Sequence, residues 1–264
     1  MIRTLYRKAR RYILYPFYKY YEWRLEKNVM KGPLPHHIGL ILDGNRRFGK
    51  SIGLSNKDAH ESGASKLEEV LDWCWHIGIK IVTVYAFSSE NFKRSEAEVG
   101  ELMEMFEQKF KMASEDERVH RERVKIKAIG KIAELPENVR TAINRAEKST
   151  EDYQDFQLNI AVGYGGRSEI VEACKKIAEK VCSGTTRPGD VDEKMVRANL
   201  YTNGIPDPDL IVRTSGEERL SGFLLWQSAY SELYFCETYW PEFREIDFLR
   251  AIRTFQQRER RYGS

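Results

Sequence analysis

The sequence predicts a single α/β domain built on a six-stranded, mostly parallel β-sheet flanked by helices. Two observations carry this prediction. Short runs rich in Ile, Val, Tyr and Phe recur along the chain, and longer segments of helical periodicity separate them. This is the pattern of buried parallel strands joined by crossover helices. A chain of 264 residues is long enough for one core of this kind.

Six apolar runs are predicted to be strands. In chain order they are His37 to Asp43, Ile81 to Ser88, Val124 to Gly130, Phe156 to Tyr164, Leu210 to Gly216 and Glu232 to Glu237. The clearest helical segments are Ser65 to Gly78, Glu98 to His120 and Ser168 to Val181. Because strands and helices alternate, the sheet should be covered on both faces.

Residues 1–34 are predicted to form a basic, aromatic helical arm that precedes a domain of residues 35–264. The first 31 residues carry nine Lys or Arg against two acids, whereas the whole chain has a net charge of only +3. Aromatic side chains with basic neighbours suit the headgroup layer of a membrane. The pattern also fits a helix packed on its own domain with a charged outer face, and both interpretations stay open.

Composition limits the classes of function. With 31% charged and 41% hydrophobic residues the chain should be globular, and the small net charge implies no nucleic-acid partner. The four cysteines form no CxxC pair, and no apolar run is long enough to cross a bilayer or act as a secretion signal. We therefore expect a cytoplasmic protein, peripheral at the membrane if the arm contacts lipid.

Polar segments follow four of the predicted strands, and ligands of such sheets bind outside the carboxyl ends of the strands. These segments are rich in Gly, Asn, Ser, Arg and acidic residues. They are DGNRR after the first strand, SSENFKR after the second, GYGGR after the fourth and RTSGEERLSGF after the fifth. The active site is predicted at this edge of the sheet.

The segment from Asp43 to Arg47 has the composition of a phosphate-binding loop. Gly44 permits close backbone approach, and the guanidinium groups of Arg46 and Arg47 suit phosphate oxygens. A carboxylate beside phosphate repels it unless a hard cation lies between them, so Asp43 predicts Mg²⁺. Taken alone, Asp43 could equally cap the following helix.

A second anion site is predicted around Arg213, Arg219 and Ser221, although surface ion pairing would explain these arginines as well. Two diphosphate-suited sites imply a reaction between two phosphorylated molecules. The chain has no GxxxxGK[ST], GxGxxG, HExxH or DDxxD segment, and its histidines show no zinc spacing.

These segments resemble the ordered signatures of the cis-prenyltransferases, a family that includes undecaprenyl and dehydrodolichyl diphosphate synthases. The resemblance runs from about Pro35 to Gly263. It is carried by HIGLILDGNRRFGK, VYAFSSENFKRSEAEV, DLIVRTSGEERLSGFLLWQSAYSELYF and YWPEF.

The resemblance implies a role for each matching position. Asp43, Ser88 and Asn91 would be catalytic, and Asp43 and Glu232 would hold Mg²⁺. Phe92 and Glu98 would place the substrate. The residues binding the allylic diphosphate would be Gly44, Asn45, Arg46, Arg47, Phe48, His60 and Arg94. Those binding isopentenyl diphosphate would be Arg213, Arg219, Ser221, Arg261 and Gly263, the last two reaching across a homodimer.

The resemblance also implies a hydrophobic tunnel and cis-prenyl chain elongation, in which an allylic prenyl diphosphate is extended with isopentenyl diphosphate. Small Ala86 beside the second signature favours a medium- or long-chain product. Two alternatives remain. One is a short-chain or irregular prenyltransferase using another acceptor, and the other is a noncatalytic partner subunit, against which the presence of Asp43, Arg47 and Glu232 argues.

Three positions depart from the family pattern. Asn56 stands where an Arg usually supplies a second cation to the allylic diphosphate, and Ala59 stands where a Gly precedes the histidine. Gly163 replaces a common Asn. Loss of one charge-assisted contact would weaken the allylic site by roughly 1.5 to 3 kcal/mol, or would signal an unusual substrate.

Overall fold

All six predicted strands form, and every neighbouring pair in the sheet is parallel. The structure, a computed structural model, describes the backbone of residues 2–258 and the side chains of residues 16–258. The strands are His37–Ile41 (β1), Ile81–Ser88 (β2), Val124–Ile129 (β3), Phe156–Tyr164 (β4), Leu210–Arg213 (β5) and Glu232–Phe235 (β6). Their order is β3-β4-β2-β1-β5-β6.

The α-helices of this part of the chain flank the sheet. They are Ile2–Val29 (α1), Asn45–Ile52 (α2), Asn56–Ile77 (α3), Glu96–Ala113 (α4), Glu117–Arg121 (α5), Glu137–Ser149 (α6), Gly166–Cys182 (α7), Glu193–Asn199 (α8) and Glu245–Gln257 (α9).

The helix predicted from Glu98 to His120 was wrong in one respect, because it is two helices. α4 ends at Ala113, and the Ser114 hydroxyl donates to Lys111 O at 2.7 Å. The carboxylate of Asp116 then accepts from Arg118 N at 2.8 Å and so begins α5. An Asp in this position satisfies an amide that a helix start leaves without a partner, which competes with helix continuation.

The strand order determines where a ligand-binding crevice lies in this fold. β1 lies between β2 and β5: the chain places β2, β3 and β4 on one side of β1 and then crosses over to add β5 and β6 on the other side. A crevice opens outside the carboxyl ends of the strands where the order reverses in this way. Side chains alternate along β1: Ile38 and Leu40 pack in the core with α3 and α9, whereas Ile41 joins Tyr164 and Phe223 in a separate cluster.

The first helix has two different faces over its described side chains. Leu25 and Val29 are buried in the core that α9 also lines. On the outer side Phe17 is 71%, Tyr20 59% and Trp23 52% exposed. Packing on the domain is therefore confirmed for one face of the arm, while the other presents aromatic rings to solvent. Across residues 2–258, none of the helices has the length and hydropathy needed to span a bilayer.

Candidate active site

Asp43 lies just beyond β1, and hydrogen bonds fix both its carboxylate and its backbone. Its Oδ2 accepts from Arg213 Nη2 at 2.8 Å, and its Oδ1 lies 3.4 Å from Arg47 Nη2. The backbone is fixed as well, because the Thr214 hydroxyl donates to Asp43 O at 2.7 Å and Trp240 N donates to the same oxygen at 3.0 Å. These contacts, rather than β-pairing, explain why β1 ends at Ile41, two residues before the predicted end.

The Asp43 carboxylate is stabilised in its charged form. Burial acts to raise its pKa, but the hydrogen bond and charge of Arg213, together with Ser215 and Arg47, outweigh burial and hold the pKa below its usual value. The carboxylate is therefore an anion at neutral pH, with 29% of its side chain exposed. An exposed anion between two arginines can share a cation with an incoming phosphate.

The loop after Asp43 needs glycine at its first position. Gly44 has φ 105°, and a Cβ there would lie 2.8 Å from the ring of Tyr239 and 3.1 Å from Ser215. Arg47 donates to Ser215 Oγ at 2.6 Å and lies over the Tyr239 ring at 5.6 Å. The loop thus brings Arg47 to the segment that follows β5.

Asn45 connects this loop to α3. Its Nδ2 donates to Leu42 O at 3.0 Å, whereas its Oδ1 is buried without a hydrogen-bond partner. A Cβ at Gly63 would meet that oxygen at 2.3 Å, so glycine is required for α3 to lie this close. A buried acceptor without a partner is costly.

A second polar cluster joins α2, α3 and α4. Arg94 Nη1 donates to Glu98 Oε1 at 2.9 Å, and the same oxygen lies 3.6 Å from Arg46 Nη1 and 3.8 Å from His60 Nε2. Burial, followed by the charge of Arg94, lowers the pKa of His60. His60 is therefore neutral at pH 7, and the positive charge of this cluster belongs to the two arginines.

The segment after β5 has an unusual backbone. Ser215, Ser221 and Leu224 have φ values of 79°, 49° and 45°, and Gly216 and Gly222 are also at positive φ. Such conformations cost free energy in residues with side chains and persist where the surroundings impose them. The sequence offers no signal for this strain, which lies beside the predicted isopentenyl site.

Arg213 links this segment to Asp43. Its guanidinium is only 4% exposed, and Nη1 donates to Ser221 Oγ at 2.7 Å and to Arg219 O. Arg219 is 62% exposed and pairs with Glu217, which also accepts from Arg47 at 3.2 Å. Glu217 was not among the predicted site residues, although its position two residues before Arg219 was a usable signal.

Ser88 and Asn91 form the end of β2. Asn91 Oδ1 accepts from Ser88 N at 2.9 Å, which leaves the Asn91 amide nitrogen as the remaining side-chain donor. Both residues line the cavity described below. Phe92 instead packs edge-on against Phe87 at 4.8 Å, so it supports the wall of the cavity from behind.

Glu232 does not lie beside Asp43 within one chain, so a Mg²⁺ site shared by the two residues stays a prediction. It begins β6 and pairs in register with Leu210, at the amino edge of the sheet. At about 3.3 Å per residue, this level is about 16 Å from that of Asp43 along the strand direction. Its carboxylate accepts from Arg258 at 2.6 Å. Arg261 and Gly263 lie outside the described residues.

A cavity of about 1040 Å³ extends from the polar residues around Asp43 and His60 to the space beneath α3 and α4. Asp43, Asn45, His60, Arg94 and Arg213 lie in its wall at one end, together with Arg219 and Ser221. Gly44, Arg46, Arg47 and Phe48 do not line it. The remaining wall is mainly apolar, with Leu67, Leu71, Trp75, Ala86, Phe87, Leu102, Phe106, Phe110, Val124, Ile126, Leu158 and Ile160.

Two of the three departures from the family pattern have a structural reason. Gly163 has φ 60°, a conformation that Asn also adopts readily, so either residue satisfies this position. Ala59 is fully buried against Gly49, which has no side chain to collide with it. Asn56 is exposed at the start of α3 and does not line the cavity.

Mg²⁺ is compatible with these residues only if the substrate supplies further ligands. Among residues 2–258, no three or more His, Cys, Asp or Glu side chains are grouped so that they could hold a metal ion. Mg²⁺ commonly binds one or two carboxylates together with phosphate oxygens of a substrate. Asp43, charged and open to the cavity, fits that arrangement.

The fold and site together define an α/β protein with charged residues, arginines among them, at one end of an apolar cavity. Comparison with known proteins agrees, since residues 41–263 match the family described as "Putative undecaprenyl diphosphate synthase". The chain belongs to this family of cis-prenyltransferases, as its signature segments predicted.

Curated relatives cover nearly the whole chain. The tritrans,polycis-undecaprenyl-diphosphate synthase (geranylgeranyl-diphosphate specific) of Methanopyrus kandleri is 52% identical over 99% of this chain and 96% of that protein. The synthase of the same name from Methanocaldococcus jannaschii is 52% identical over 93% of this chain and 88% of that protein. Among solved structures, lavandulyl diphosphate synthase from Lavandula x intermedia, in complex with dimethylallyl diphosphate, is similar with a TM-score of 0.82. It is 37% identical and covers 86% of this chain and 97% of that one.

Proposed function

We propose that this protein extends geranylgeranyl diphosphate with isopentenyl diphosphate in a Mg²⁺-dependent reaction that forms cis double bonds and yields a medium- or long-chain polyprenyl diphosphate. The observation that carries the proposal is the continuity of one cavity, from the charged group around Asp43 and Arg213 to the apolar wall under α3 and α4. The choice of allylic substrate is supported by two relatives, each 52% identical, whose names give geranylgeranyl diphosphate as their specific substrate.

The reaction breaks the bond between the allylic carbon and its diphosphate oxygen. A new carbon–carbon bond forms to the terminal alkene carbon, C4, of isopentenyl diphosphate, and the C2 methylene on the other side of C3 then loses a proton, so that the new double bond lies between C2 and C3. Negative charge grows on the departing diphosphate, and Arg47, Arg94 and the backbone amides after Asp43 are placed to stabilise it as it grows. Bound at Asp43, Mg²⁺ would neutralise part of the same charge.

Asn91 and Ser88 have no group that titrates near neutral pH, so neither is the final base. Its Oδ1 accepts from Ser88 N, which fixes the side chain and leaves the Asn91 amide nitrogen as a donor for the cavity. We therefore assign the proton to an oxygen of the departing diphosphate, with Asn91 orienting that group. Arg213 and Ser221 hold the isopentenyl diphosphate head group so that its double bond faces the allylic carbon, which removes much of the entropic barrier.

The test is product analysis. The purified protein is incubated with labelled isopentenyl diphosphate, Mg²⁺ and geranylgeranyl diphosphate, and products are separated by thin-layer chromatography and mass spectrometry. A ladder or a single polyprenyl diphosphate longer than the primer is expected. Branched coupling of two dimethylallyl units would favour an irregular prenyltransferase, a candidate that the lavandulyl diphosphate synthase neighbour supports. No product with any primer would indicate a noncatalytic subunit.

A homodimer is part of the proposal. Asp43 and Arg213 lie at the carboxyl edge of the sheet, whereas Glu232 and Arg258 pair at the amino edge, just before the segment with Arg261 and Gly263. This separation supports a site completed by the second copy. Mixing Asp43→Ala and Arg261→Ala proteins would test it, because each is inactive alone while a mixed dimer regains one intact site. No recovery on subunit exchange would contradict it.

Contact with a membrane surface is proposed for the outer face of α1. Three exposed aromatic residues lie on it, and Lys27 Nζ lies 5.4 Å from the centre of the Trp23 ring. Aromatic rings bury in the interface while neighbouring cations meet anionic headgroups.

A further inference from the structure

Tyr85, near the end of β2, lines the cavity but has no role in the reaction proposed above. Its ring stacks on Phe223, with the ring centroids 4.9 Å apart and an interplanar angle of 18°. The same ring meets Tyr164 edge-on at 5.9 Å. Contacts with two neighbouring rings therefore fix the direction in which the Tyr85 hydroxyl points.

The register of the sheet places Tyr85 level with Arg213. Ile41 on β1 is the register partner of Tyr85 on β2 and also of Arg213 on β5. Register partners in neighbouring strands point to the same face of a sheet, so the two polar side chains lie on one face with Ile41 between them. At about 4.8 Å between strands, the two positions are about 10 Å apart. A single residue above Ile41 is within reach of both.

That residue is Ser221. Arg213 Nη1 donates to the Ser221 hydroxyl at 2.7 Å, as described above. The Tyr85 hydroxyl lies 3.3 Å from Ser221 O and 3.2 Å from Tyr164 O, so its one hydrogen is shared between two carbonyl oxygens. Burial raises the pKa of Tyr85, and the hydroxyl therefore keeps this hydrogen. Ser221 is thus held through its side chain by Arg213 and through its backbone by Tyr85.

Ser221 needs this support because its backbone is strained. Its φ of 49° lies in the left-handed region, which costs free energy in a residue with a side chain. The next peptide is held as well, since Gly166 N donates to Gly222 O at 2.8 Å, and a Cβ at Gly166 would lie 2.6 Å from that oxygen. Removal of the Tyr85 hydroxyl would free Ser221 O and let this peptide relax, which would move the Ser221 side chain.

We propose that Tyr85 is a positioning residue for isopentenyl diphosphate; this inference rests on the proposed function. By holding Ser221 O, Tyr85 keeps the Ser221 hydroxyl beside Arg213, where the two groups receive the diphosphate. The effect of Tyr85 passes through Ser221. The allylic site around Asp43 and Arg94 does not depend on it.

Tyr85→Phe tests the proposal, because it removes the donor and keeps the stacked ring. KM for isopentenyl diphosphate is expected to rise about fivefold, whereas KM for geranylgeranyl diphosphate and kcat should stay within about twofold of the wild type. Tyr153→Phe is the matched control, since its hydroxyl lies 3.0 Å from His120 Nδ1 and neither residue lines the cavity. Its kinetic constants should equal those of the wild type.

The double variant Tyr85→Phe with Ser221→Ala separates positioning from a general loss of structure. Because Tyr85 acts through the Ser221 hydroxyl, adding Tyr85→Phe to Ser221→Ala should raise KM for isopentenyl diphosphate by less than about twofold. Increases that multiply in the double variant would overturn the inference. Equal increases in both KM values of Tyr85→Phe would overturn it as well.

Failure of this inference can be told apart from failure of the proposed function. An active Tyr85→Phe protein with wild-type KM values overturns the inference alone, whereas a wild type that extends no primer overturns both. Should Tyr85→Phe not fold, Phe223→Leu removes the ring on which Tyr85 stacks and should raise KM for isopentenyl diphosphate in the same selective way. Wild-type KM values in that variant would count against the inference.

Discussion

Arg213 Nη2 donates to Asp43 Oδ2 at 2.8 Å, across the boundary between β5 and the loop after β1. The two residues are 170 positions apart in the chain, yet the parallel register of β1 with β5 brings their strand ends together. Since Arg213 also donates to Ser221, one buried guanidinium connects the carboxylate of the proposed allylic site to the hydroxyl of the proposed isopentenyl site. The two substrates are therefore expected to bind side by side.

Ser221→Ala tests the assignment of the two sites. It removes the hydroxyl that accepts from Arg213 Nη1 at 2.7 Å. Loss of a charge-assisted hydrogen bond costs about 1.5 kcal/mol or more, so KM for isopentenyl diphosphate should rise about tenfold while KM for the allylic substrate stays within about twofold. Ser183→Ala, on the exposed end of α7, is the control. Equal increases in both KM values would contradict the assignment.

Substitutions at Gly163 test whether its backbone conformation explains why glycine can replace the asparagine that is common in the family. Because φ is 60°, Gly163→Asn should lower the free energy of unfolding by less than about 1 kcal/mol, whereas Gly163→Val should lower it by about 2 kcal/mol. Urea unfolding of both variants measures the difference. Gly189→Val is the control, since a Cβ there meets nothing within 4 Å. Similar losses for Asn and Val at position 163 would mean that backbone conformation does not decide this residue.

The burial of His37 should make the free energy of unfolding depend on pH. It is 1% exposed, its Nδ1 lies 2.7 Å from Pro206 O and its Nε2 lies 2.7 Å from Thr83 Oγ1. Burial lowers its pKa to about 4. Between pH 4 and about 6.5 the unfolded chain binds this proton more tightly than the folded chain does. The free energy of unfolding should therefore be about 2 kcal/mol lower at pH 5 than at pH 7.5.

His37→Gln cannot titrate and should show a shallower loss of stability over this range, measured by urea unfolding at pH 7.5, 6 and 5. His76→Gln is the control, because His76 is exposed at the end of α3. Stability curves for the wild type and His37→Gln that run parallel from pH 7.5 to 5 would contradict the prediction.

The outer face of α1 predicts binding to anionic vesicles. Phe17→Ala with Trp23→Ala removes two exposed rings, and co-sedimentation with vesicles containing phosphatidylserine should fall at least fivefold, whereas the free energy of unfolding should change little. Tyr230→Ala is the control, since Tyr230 is 78% exposed but lies outside α1. Sedimentation equal to the wild type would show that this face does not contact lipid.

The strands were predictable because their side chains are buried and apolar. The bounds of β2 and β4 agree with the prediction at both ends, whereas β1 and β5 are shorter than predicted. At those two ends the backbone leaves the sheet to place Asp43 and Thr214, which hydrogen-bond to each other. Periodicity cannot show this, because the departure depends on a contact between segments far apart in sequence.

The candidate site was predictable where its residues follow a strand, and less so elsewhere. Glu232 stands at the start of its strand, so the rule that ligands bind beyond strand ends already placed it at the other edge of the sheet. Glu217 lies in a recognised segment, two residues before Arg219, but was not predicted as a site residue. The pairing of Arg118 with Glu68 could not be predicted, since it depends on how α5 packs against α3.

Turnover of Asp43→Asn tests the central claim most directly. With Mg²⁺, geranylgeranyl diphosphate and labelled isopentenyl diphosphate, the wild type should form polyprenyl diphosphate. Asp43→Asn should lower kcat by at least about 100-fold, because the uncharged amide would no longer help to hold the Mg²⁺ that would neutralise the leaving diphosphate. Asp190→Asn, which affects only a surface pair with Arg187, should match the wild type. A folded Asp43→Asn protein with wild-type turnover would contradict the account.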